Sequence, residues 1–173
     1  MGASPVRLIG LDPGLTHTGW GVVDSRGNHL AFVACGRVST HAGTPLAARL
    51  DQLYRGLQAI LAAHGPAVAA VEETVVNTNA GSSLKLGQAR GVVLLAAAHG
   101  GLAVHEYASK TVKRALVGTG GADKTQVSSM VQRLLPSAGA VNADAADALA
   151  VALCHAHHAA THERLRRAMG TVP

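Results

Sequence analysis

Hydrophobic and polar positions alternate along the first forty residues in three short runs. The runs are VRLIGLD (6–12), TGWGVVDS (18–25) and HLAFVACGRVST (29–40), and the turn-forming sequences DPG and RGN separate them. A period of two is typical of β-strands, and short turns between such runs favour antiparallel pairing. The chain is therefore predicted to begin with an antiparallel three-stranded meander.

Further along the chain, helical patterns alternate with short apolar runs. Leucines recur on one stripe of a first helix, which we expect to begin with Thr44 as N-cap and Pro45 as first helical residue. Strands are predicted over 67–73 and 102–108, with a long helix at about 82–98 between them. Three more helices are predicted over SKTVKRALVG, over KTQVSSMVQRLL and from about Asn142 to His158.

This order of elements predicts an α/β fold with three layers. The expected sheet is five-stranded and mixed, with strands 1–3 antiparallel, strands 4 and 5 parallel, and helices on both faces. Strand 1 is expected at the centre, because strands 2 and 4 both pair beside it. We expect a single domain over residues 1–160 and a basic, flexible tail over 161–173.

The second half of the long helix, GVVLLAAA, is apolar on every side. Such a helix must be covered on every side by other parts of the protein. Two interpretations stay open: the sheet and a second subunit cover the helix, or it is the central helix of a monomer.

Composition adds two constraints to this picture. Apolar residues make up 48% of the chain but aromatic residues only 2%, so a core of Ala, Val and Leu must rely on close approach of backbones. Fifteen Lys and Arg against ten acidic residues give a net charge of +5. This charge favours a nucleic-acid partner, and the alternative is a merely basic protein.

The cysteines and the N-terminus indicate the compartment. Cys35 and Cys154 lie in apolar runs without metal-site spacing, which predicts buried free thiols in a reducing environment. The first residues lack the pattern of a signal peptide, and no apolar run is long enough for a membrane span. We therefore expect a cytoplasmic protein.

Acidic residues lie at positions that an α/β fold brings together. Asp12 ends the first strand and Glu72 ends the fourth, with Glu73 beside it. Asp144 and Asp147 share one face of the last helix. Each alone has a structural explanation, as a turn former, a partner of the helix dipole or an exposed strand end. The other five acids are expected to be ordinary solvated charges: Asp24, Asp51, Glu106, Asp123 and Glu163.

Taken together, the carboxylates of Asp12, Glu72, Asp144 and Asp147 indicate a metal site. Close carboxylates repel one another by about 4 kcal/mol per pair at an effective dielectric constant of about 20, so such a set needs cations. Hard oxygen ligands favour Mg²⁺ or Mn²⁺, and two such ions suit phosphodiester hydrolysis. The basic residues that remain would bind phosphate.

Five stretches carry a resemblance to a known family, in order over most of residues 6–158. They are GLDPGLTHTGWGVV, VEE, SSLKLGQARGVV, HEYASKTVKRALVGTGGADKTQV and ADAADALAVAL. The chain resembles the RuvC family of Holliday-junction resolvases; DPG alone is weak evidence, but KLGQARG with ADAADALA is highly specific. The resemblance implies a ribonuclease-H-like fold and a homodimer. It also implies a Mg²⁺-dependent endonuclease that cuts opposed strands of four-way junction DNA symmetrically and works with RuvA and RuvB in recombination and repair.

The resemblance also implies roles for individual residues. The catalytic and metal-binding carboxylates would be Asp12, Glu72, Asp144 and Asp147, with two Mg²⁺ per subunit when DNA is bound and Mn²⁺ as a substitute. The DNA-binding residues would be Lys113, Lys124, Lys85 and Arg90. Glu73 is expected to be a supporting or surface residue. One departure is Val75 in the loop TVVNTN, where the family commonly has an aromatic that acts on the junction bases. Since valine cannot stack on a base, how this chain opens the junction is left open.

Two other motifs have simpler explanations. GTGGADKT (118–125) is one residue short of a P-loop, because Asp123 stands where glycine is required. We expect a loop whose amides and Lys124 approach DNA phosphate instead. The stretch CHAHHAATH would allow a zinc site, but solvent-facing histidines at a helix end are the favoured interpretation.

Two functions from other classes compete with the nuclease. One is a junction-binding protein without activity, against which the intact set of four acids argues. The other is an actin-like ATPase or sugar kinase, which needs a second domain that 173 residues cannot supply.

Overall fold

A five-stranded mixed sheet forms the centre of the computed structural model, which describes residues 4–73 and 79–170. Strands β1 (Val6–Asp12), β2 (His17–Arg26) and β3 (His29–Ser39) are antiparallel. Strands β4 (Val68–Glu72) and β5 (Ala103–Tyr107) run parallel to β1. The order is β3-β2-β1-β4-β5. The predicted sheet, with β1 at its centre, is confirmed.

Helices cover both faces of the sheet. The helices are α1 (Leu46–His64), α2 (Ala80–His99), α3 (Ser109–Val117), α4 (Lys124–Leu134) and α5 (Ala143–Ala168). Neighbouring residues of β1 point to opposite faces, so Leu8 lies in a core cluster with α3, α4 and α5, and Ile9 in a second cluster with α1 and α2. The fold therefore has the three predicted layers.

Helix α5 packs against the sheet more closely than large side chains would allow. A Cβ atom added to Gly10 on β1 would lie 2.0 Å from the carbonyl oxygen of Ala148. Ala145, Ala148 and Ala152 of the helix are completely or almost completely buried. Alanine on the helix and glycine on the strand therefore allow backbone-to-backbone contact, as the aromatic-poor composition predicted.

Two predicted helix boundaries were wrong. Helix α1 begins at Leu46 with Pro45 in the N-cap position, and the Thr44 hydroxyl donates to the carbonyl oxygen of His41 (2.7 Å) instead of capping the helix. Helix α5 continues ten residues beyond the predicted end at His158, because residues 159–168 are mostly good helix formers without Gly or Pro. Most of the side chains described in this extension are exposed. Where the described residues form helices, none is long and apolar enough to cross a membrane.

The cysteine prediction was correct in one respect and wrong in another. Both Cys35 and Cys154 are free thiols. Cys154 is completely buried, but Cys35 is only half-buried, because it lies on β3 at the edge of the sheet.

Candidate active site

Parallel pairing of two strands brings the first two candidate acids side by side. Leu11 of β1 pairs with Val71 of β4, and Asp12 and Glu72 are the next residues of these strands. Both side chains therefore lie at the carboxyl-terminal edge of the sheet, where ligands bind in open α/β sheets. The prediction that these strand ends converge is confirmed.

The turn that follows Asp12 is held by a buried threonine. The Thr18 hydroxyl donates to the carbonyl oxygen of Gly14 (2.7 Å) and lies 3.2 Å from the amide nitrogen of the same residue. Thr18 is completely buried. Its hydroxyl thus fixes the DPG turn, and with it the backbone that carries Asp12.

The start of helix α5 carries the other two acids. The Asn142 side chain accepts a hydrogen bond from the amide of Ala145 (2.9 Å) and so caps this end of the helix. Asp144 and Asp147 follow in the first turns. A Cβ atom added to Gly19 of β2 would lie 2.0 Å from the carbonyl oxygen of Asp144. The absence of a side chain at Gly19 therefore lets the first turn of α5 lie directly on the sheet.

A cavity of about 300 Å³ lies between the ends of β1 and β4 and helices α3, α4 and α5. The predicted site residues that line it are Asp12, Glu72, Asp147, Lys113 and Lys124, with Glu73 beside them. Asp144 does not line it; one of its carboxylate oxygens lies 3.5 Å from the guanidinium of Arg37 on β3. Three of the four acids and both lysines are thus brought to one cavity, and the fourth acid is held at its side.

The cavity concentrates negative charge in a partly dry environment. Burial raises the pKa of Asp12 to about 7, and the nearby carboxylates of Glu72 and Asp147 add to this effect. Burial likewise raises the pKa of Glu72, although a hydrogen bond with Ser109 opposes this. The Lys124 ammonium lies 3.0 Å from an Asp147 oxygen, and this hydrogen bond raises the pKa of the lysine. Lys124, which is exposed, is therefore close to the carboxylates of Asp147, Asp12 and Glu72 and offsets part of their negative charge.

The carboxylates at the cavity have the chemistry of a divalent-cation site, but their present spacing does not form one. Within residues 4–73 and 79–170, no group of three or more Asp, Glu, His or Cys side chains is arranged to hold a metal ion. The donors at the cavity are nevertheless carboxylate oxygens, and burial, followed by the neighbouring carboxylates, raises the pKa of Asp12 because its negative charge is poorly compensated there. A divalent cation would offset the repulsion between these carboxylates, and oxygen ligands are those that hard cations prefer.

Two residues at the site were missed by sequence reasoning. Ser109 begins α3, lines the cavity and hydrogen-bonds Glu72. Its position directly after β5 was an available signal, because residues after parallel strands share the edge where the acids lie. Arg37 gave no such signal, since its contact with Asp144 depends on how β3 pairs with β2.

Other predicted residues lie away from the cavity. Lys85 of α2 is exposed and does not line it, and Arg90 is half-buried in an ion pair with Glu106 of β5. Their contact with DNA stays a prediction. Glu106 is exposed, as expected, although it pairs with Arg90, whereas Asp24 is half-buried in an ion pair with Arg7 (2.8 Å). The loop with Val75 lies outside the described residues.

The two motifs with simpler explanations behave differently. GTGGADKT begins directly after α3, and Asp123 caps α4 by accepting a hydrogen bond from the amide of Gln126 (2.8 Å). The segment is therefore no P-loop, which follows a strand and has glycine at this position. The prediction of solvent-facing histidines was wrong for His155, which is buried and lies 2.8 Å from the Tyr107 hydroxyl. His155 lies in the middle of α5, because the helix continues to Ala168.

The sheet order, the three layers and the acids at the strand ends define a ribonuclease-H-like protein. A family model described as RuvC, crossover junction endodeoxyribonuclease, matches residues 8–155. The chain therefore belongs to the RuvC family.

Individual relatives agree with this assignment. The chain is 56% identical over 162 residues to crossover junction endodeoxyribonuclease RuvC of Rhodopseudomonas palustris (strain TIE-1), covering 94% of this chain and 93% of the relative. It is also 56% identical over 164 residues to the protein of that name from Paramagnetospirillum magneticum, covering 95% and 99%. The structure of T. thermophilus RuvC in complex with a Holliday junction substrate matches with a TM-score of 0.83 and 33% identity, covering 91% of this chain and 96% of that one.

Proposed function

We propose that this protein is a metal-dependent endonuclease that resolves Holliday junctions by hydrolysing phosphodiester bonds in two opposed strands. The observation that carries the proposal is the cavity that Asp12, Glu72 and Asp147 line together with Lys113 and Lys124. Membership of a family of crossover junction endodeoxyribonucleases, and similarity to a RuvC bound to a junction, support this substrate.

The carboxylates would hold the metal and the lysines the DNA. Asp12, Glu72 and Asp147, with Asp144 once it is released from Arg37, would offer oxygen ligands for two Mg²⁺ per subunit, with Mn²⁺ as a substitute. The chemistry such ions supply is the activation of water and the stabilisation of the leaving oxygen. Lys113 and Lys124 would bind the phosphates that flank the cut, because ammonium groups at the rim of an acidic cavity hold the backbone without reading bases.

The cut in two opposed strands needs two active sites, so the proposal includes a homodimer. Helix α2 supports it: Leu84 and Leu95 are 65% and 58% exposed, and their spacing places both on one stripe of the helix. Gly91 lies between them on the same stripe, which lets a second helix approach closely. The proposal also includes cooperation with RuvA and RuvB and a cytoplasmic location. These two parts rest on the family resemblance alone.

Substituting single carboxylates tests the division of roles. We expect Asp12→Asn and Asp147→Asn to cut a synthetic four-way junction at about one thousandth of the wild-type rate or less, because each change removes charge that the metal needs. Junction affinity measured without divalent cation should stay within about threefold, since phosphate contacts by lysines carry most of it. Cleavage is followed on denaturing gels with and without Mg²⁺, and affinity by fluorescence anisotropy.

Asp51→Asn is the matched control, because Asp51 is an exposed acid of α1 that pairs only on the helix surface with Arg55. This control should cut like the wild type. Cleavage retained by either Asn variant at the cavity would contradict the metal assignment. Cleavage without any divalent cation would contradict the mechanism itself.

A further inference from the structure

Arg37 lies beside the candidate metal site because of an irregularity in the sheet. The register of β2 and β3 shifts by one residue between Val22 and Val23, and after the shift Gly19 pairs with Arg37. An unshifted hairpin would place Gly36 opposite Gly19 and turn Arg37 to the other face. Bulges of this kind often re-aim a side chain near an active site.

The same geometry directs Arg37 to one acid. Gly19 faces the first turn of α5, because a Cβ atom there would touch the carbonyl oxygen of Asp144. Directly paired residues of neighbouring strands point to the same face, so Arg37 reaches across the glycine to the Asp144 carboxylate. The guanidinium nitrogen and the carboxylate oxygen are 3.5 Å apart.

The Arg37–Asp144 ion pair is weak enough for Arg37 to exchange the carboxylate for a DNA phosphate. The Arg37 and Asp144 side chains are 47% and 32% exposed, so water screens their attraction and the pair is weak. A guanidinium binds phosphate through two parallel hydrogen bonds, which makes a DNA backbone a strong competitor for Arg37. Of the four proposed ligands, Asp144 alone does not line the cavity.

Resting on the proposed function, we infer that Arg37 couples DNA binding to metal binding. In the free protein Arg37 holds Asp144 at the side of the cavity and opposes a cation there. When a DNA phosphate engages Arg37, the Asp144 carboxylate becomes available to the metal. Arg37 is thus a positioning residue that makes full metal binding depend on the presence of DNA. By thermodynamic linkage, metal then strengthens DNA binding by the same factor.

The test is the affinity of the protein for Mn²⁺, measured from the electron paramagnetic resonance of the free ion. Without DNA, Arg37→Gln should bind Mn²⁺ about three- to tenfold more tightly than the wild type, because a positive charge near the ion is removed. With an immobile four-way junction, whose integrity is checked on a gel and whose own Mn²⁺ binding is subtracted, the two proteins should bind the ion alike. Circular dichroism melts confirm that each variant is folded.

Two matched variants separate charge from shape. Arg37→Lys keeps the charge and should keep the weaker wild-type Mn²⁺ affinity. Arg55→Gln removes an arginine from an exposed ion pair on α1 that does not line the cavity, and should have no effect. If Arg37→Gln binds Mn²⁺ no more tightly than Arg55→Gln, or if Arg37→Lys behaves like Arg37→Gln, the coupling role is overturned.

A separate variant, Asp147→Asn, shows whether a negative result contradicts the role of Arg37 or the proposed metal site. Asp147→Asn should weaken Mn²⁺ binding with and without DNA, because Asp147 lines the cavity. If Asp147→Asn binds the ion like the wild type, the proposed metal site itself is wrong. If Asp147→Asn loses Mn²⁺ and Arg37→Gln changes nothing, only the role of Arg37 is wrong.

Discussion

Replacing Gly10 by alanine would force helix α5 away from the sheet. The added Cβ atom would lie 2.0 Å from the Ala148 carbonyl oxygen and 2.7 Å from the Ala152 amide nitrogen, whereas an ordinary contact begins near 3.4 Å. Both neighbours are backbone atoms, so no side chain can move aside. The helix must retreat by about 1.4 Å, the difference between 3.4 and 2.0 Å. Overpacking of this kind costs about 3 kcal/mol of unfolding free energy.

The consequence should appear in both stability and activity. For a chain of this length, about 3 kcal/mol lowers the melting temperature by about 6–12 °C. Since α5 carries Asp144 and Asp147, a displacement of about 1 Å should also lower junction cleavage about a hundredfold in protein that is still folded. Differential scanning calorimetry and single-turnover cleavage below the melting temperature measure the two effects.

Gly43→Ala is the control for this change. An added Cβ atom at Gly43 would meet nothing within 4 Å, so stability should stay within about 0.5 kcal/mol of the wild type. If Gly10→Ala is as stable and as active as this control, α5 does not pack backbone-to-backbone on β1, and the account of how the acids are positioned fails.

Three further substitutions test the burial of His155 and the proposed dimer. Burial, with smaller effects of His105 and His158, lowers the pKa of His155 to about 4. Below the ordinary histidine pKa of about 6.5, the unfolded chain therefore binds a proton at His155 that the native protein does not bind. The unfolding free energy consequently decreases as the pH is lowered from about 6.5 towards 4. His155→Gln should lose about 2 kcal/mol less unfolding free energy than the wild type between about pH 6.5 and pH 5, measured by urea unfolding; equal losses would contradict a buried neutral histidine. Leu84→Glu and Leu95→Glu should weaken dimerisation at least about tenfold in sedimentation velocity, whereas Leu165→Glu, an equally exposed leucine elsewhere, should not. A wild-type dimer in both α2 variants would exclude this helix face as the interface.

Strand order and the positions of three acids were predictable, because local patterns determine them. Alternating runs and short turns define the meander, and a fourth strand that follows a helix must pair parallel to β1. Asp12 and Glu72 end these two strands and so had to meet at one edge of the sheet. The alanine-rich start of α5, which carries Asp147, required a closely packed surface, and Gly10 provides it.

The details that were missed depend on register and on tertiary contacts. A one-residue bulge between Val22 and Val23 decides that Arg37 faces Asp144, and alternation of side chains along a strand does not reveal a bulge. The burial of His155 follows from the continuation of α5 and from its contact with Tyr107, which lies 48 residues away in the sequence. The end of α5 was missed because, among its described residues, burial ends at Ala156, whereas the good helix formers that follow continue the helix to Ala168.

The proposed nuclease is tested most directly by mapping nicks on a mobile four-way junction. The purified protein is incubated with junctions labelled on each strand in turn, with and without Mg²⁺, and the cut positions are read on a sequencing gel. The account predicts nicks that need Mg²⁺, lie at symmetrical positions in two opposed strands and disappear in Asp147→Asn. Nicks in a single strand, nicks that persist without divalent cation, or a junction that is bound and left uncut by the wild type would contradict it.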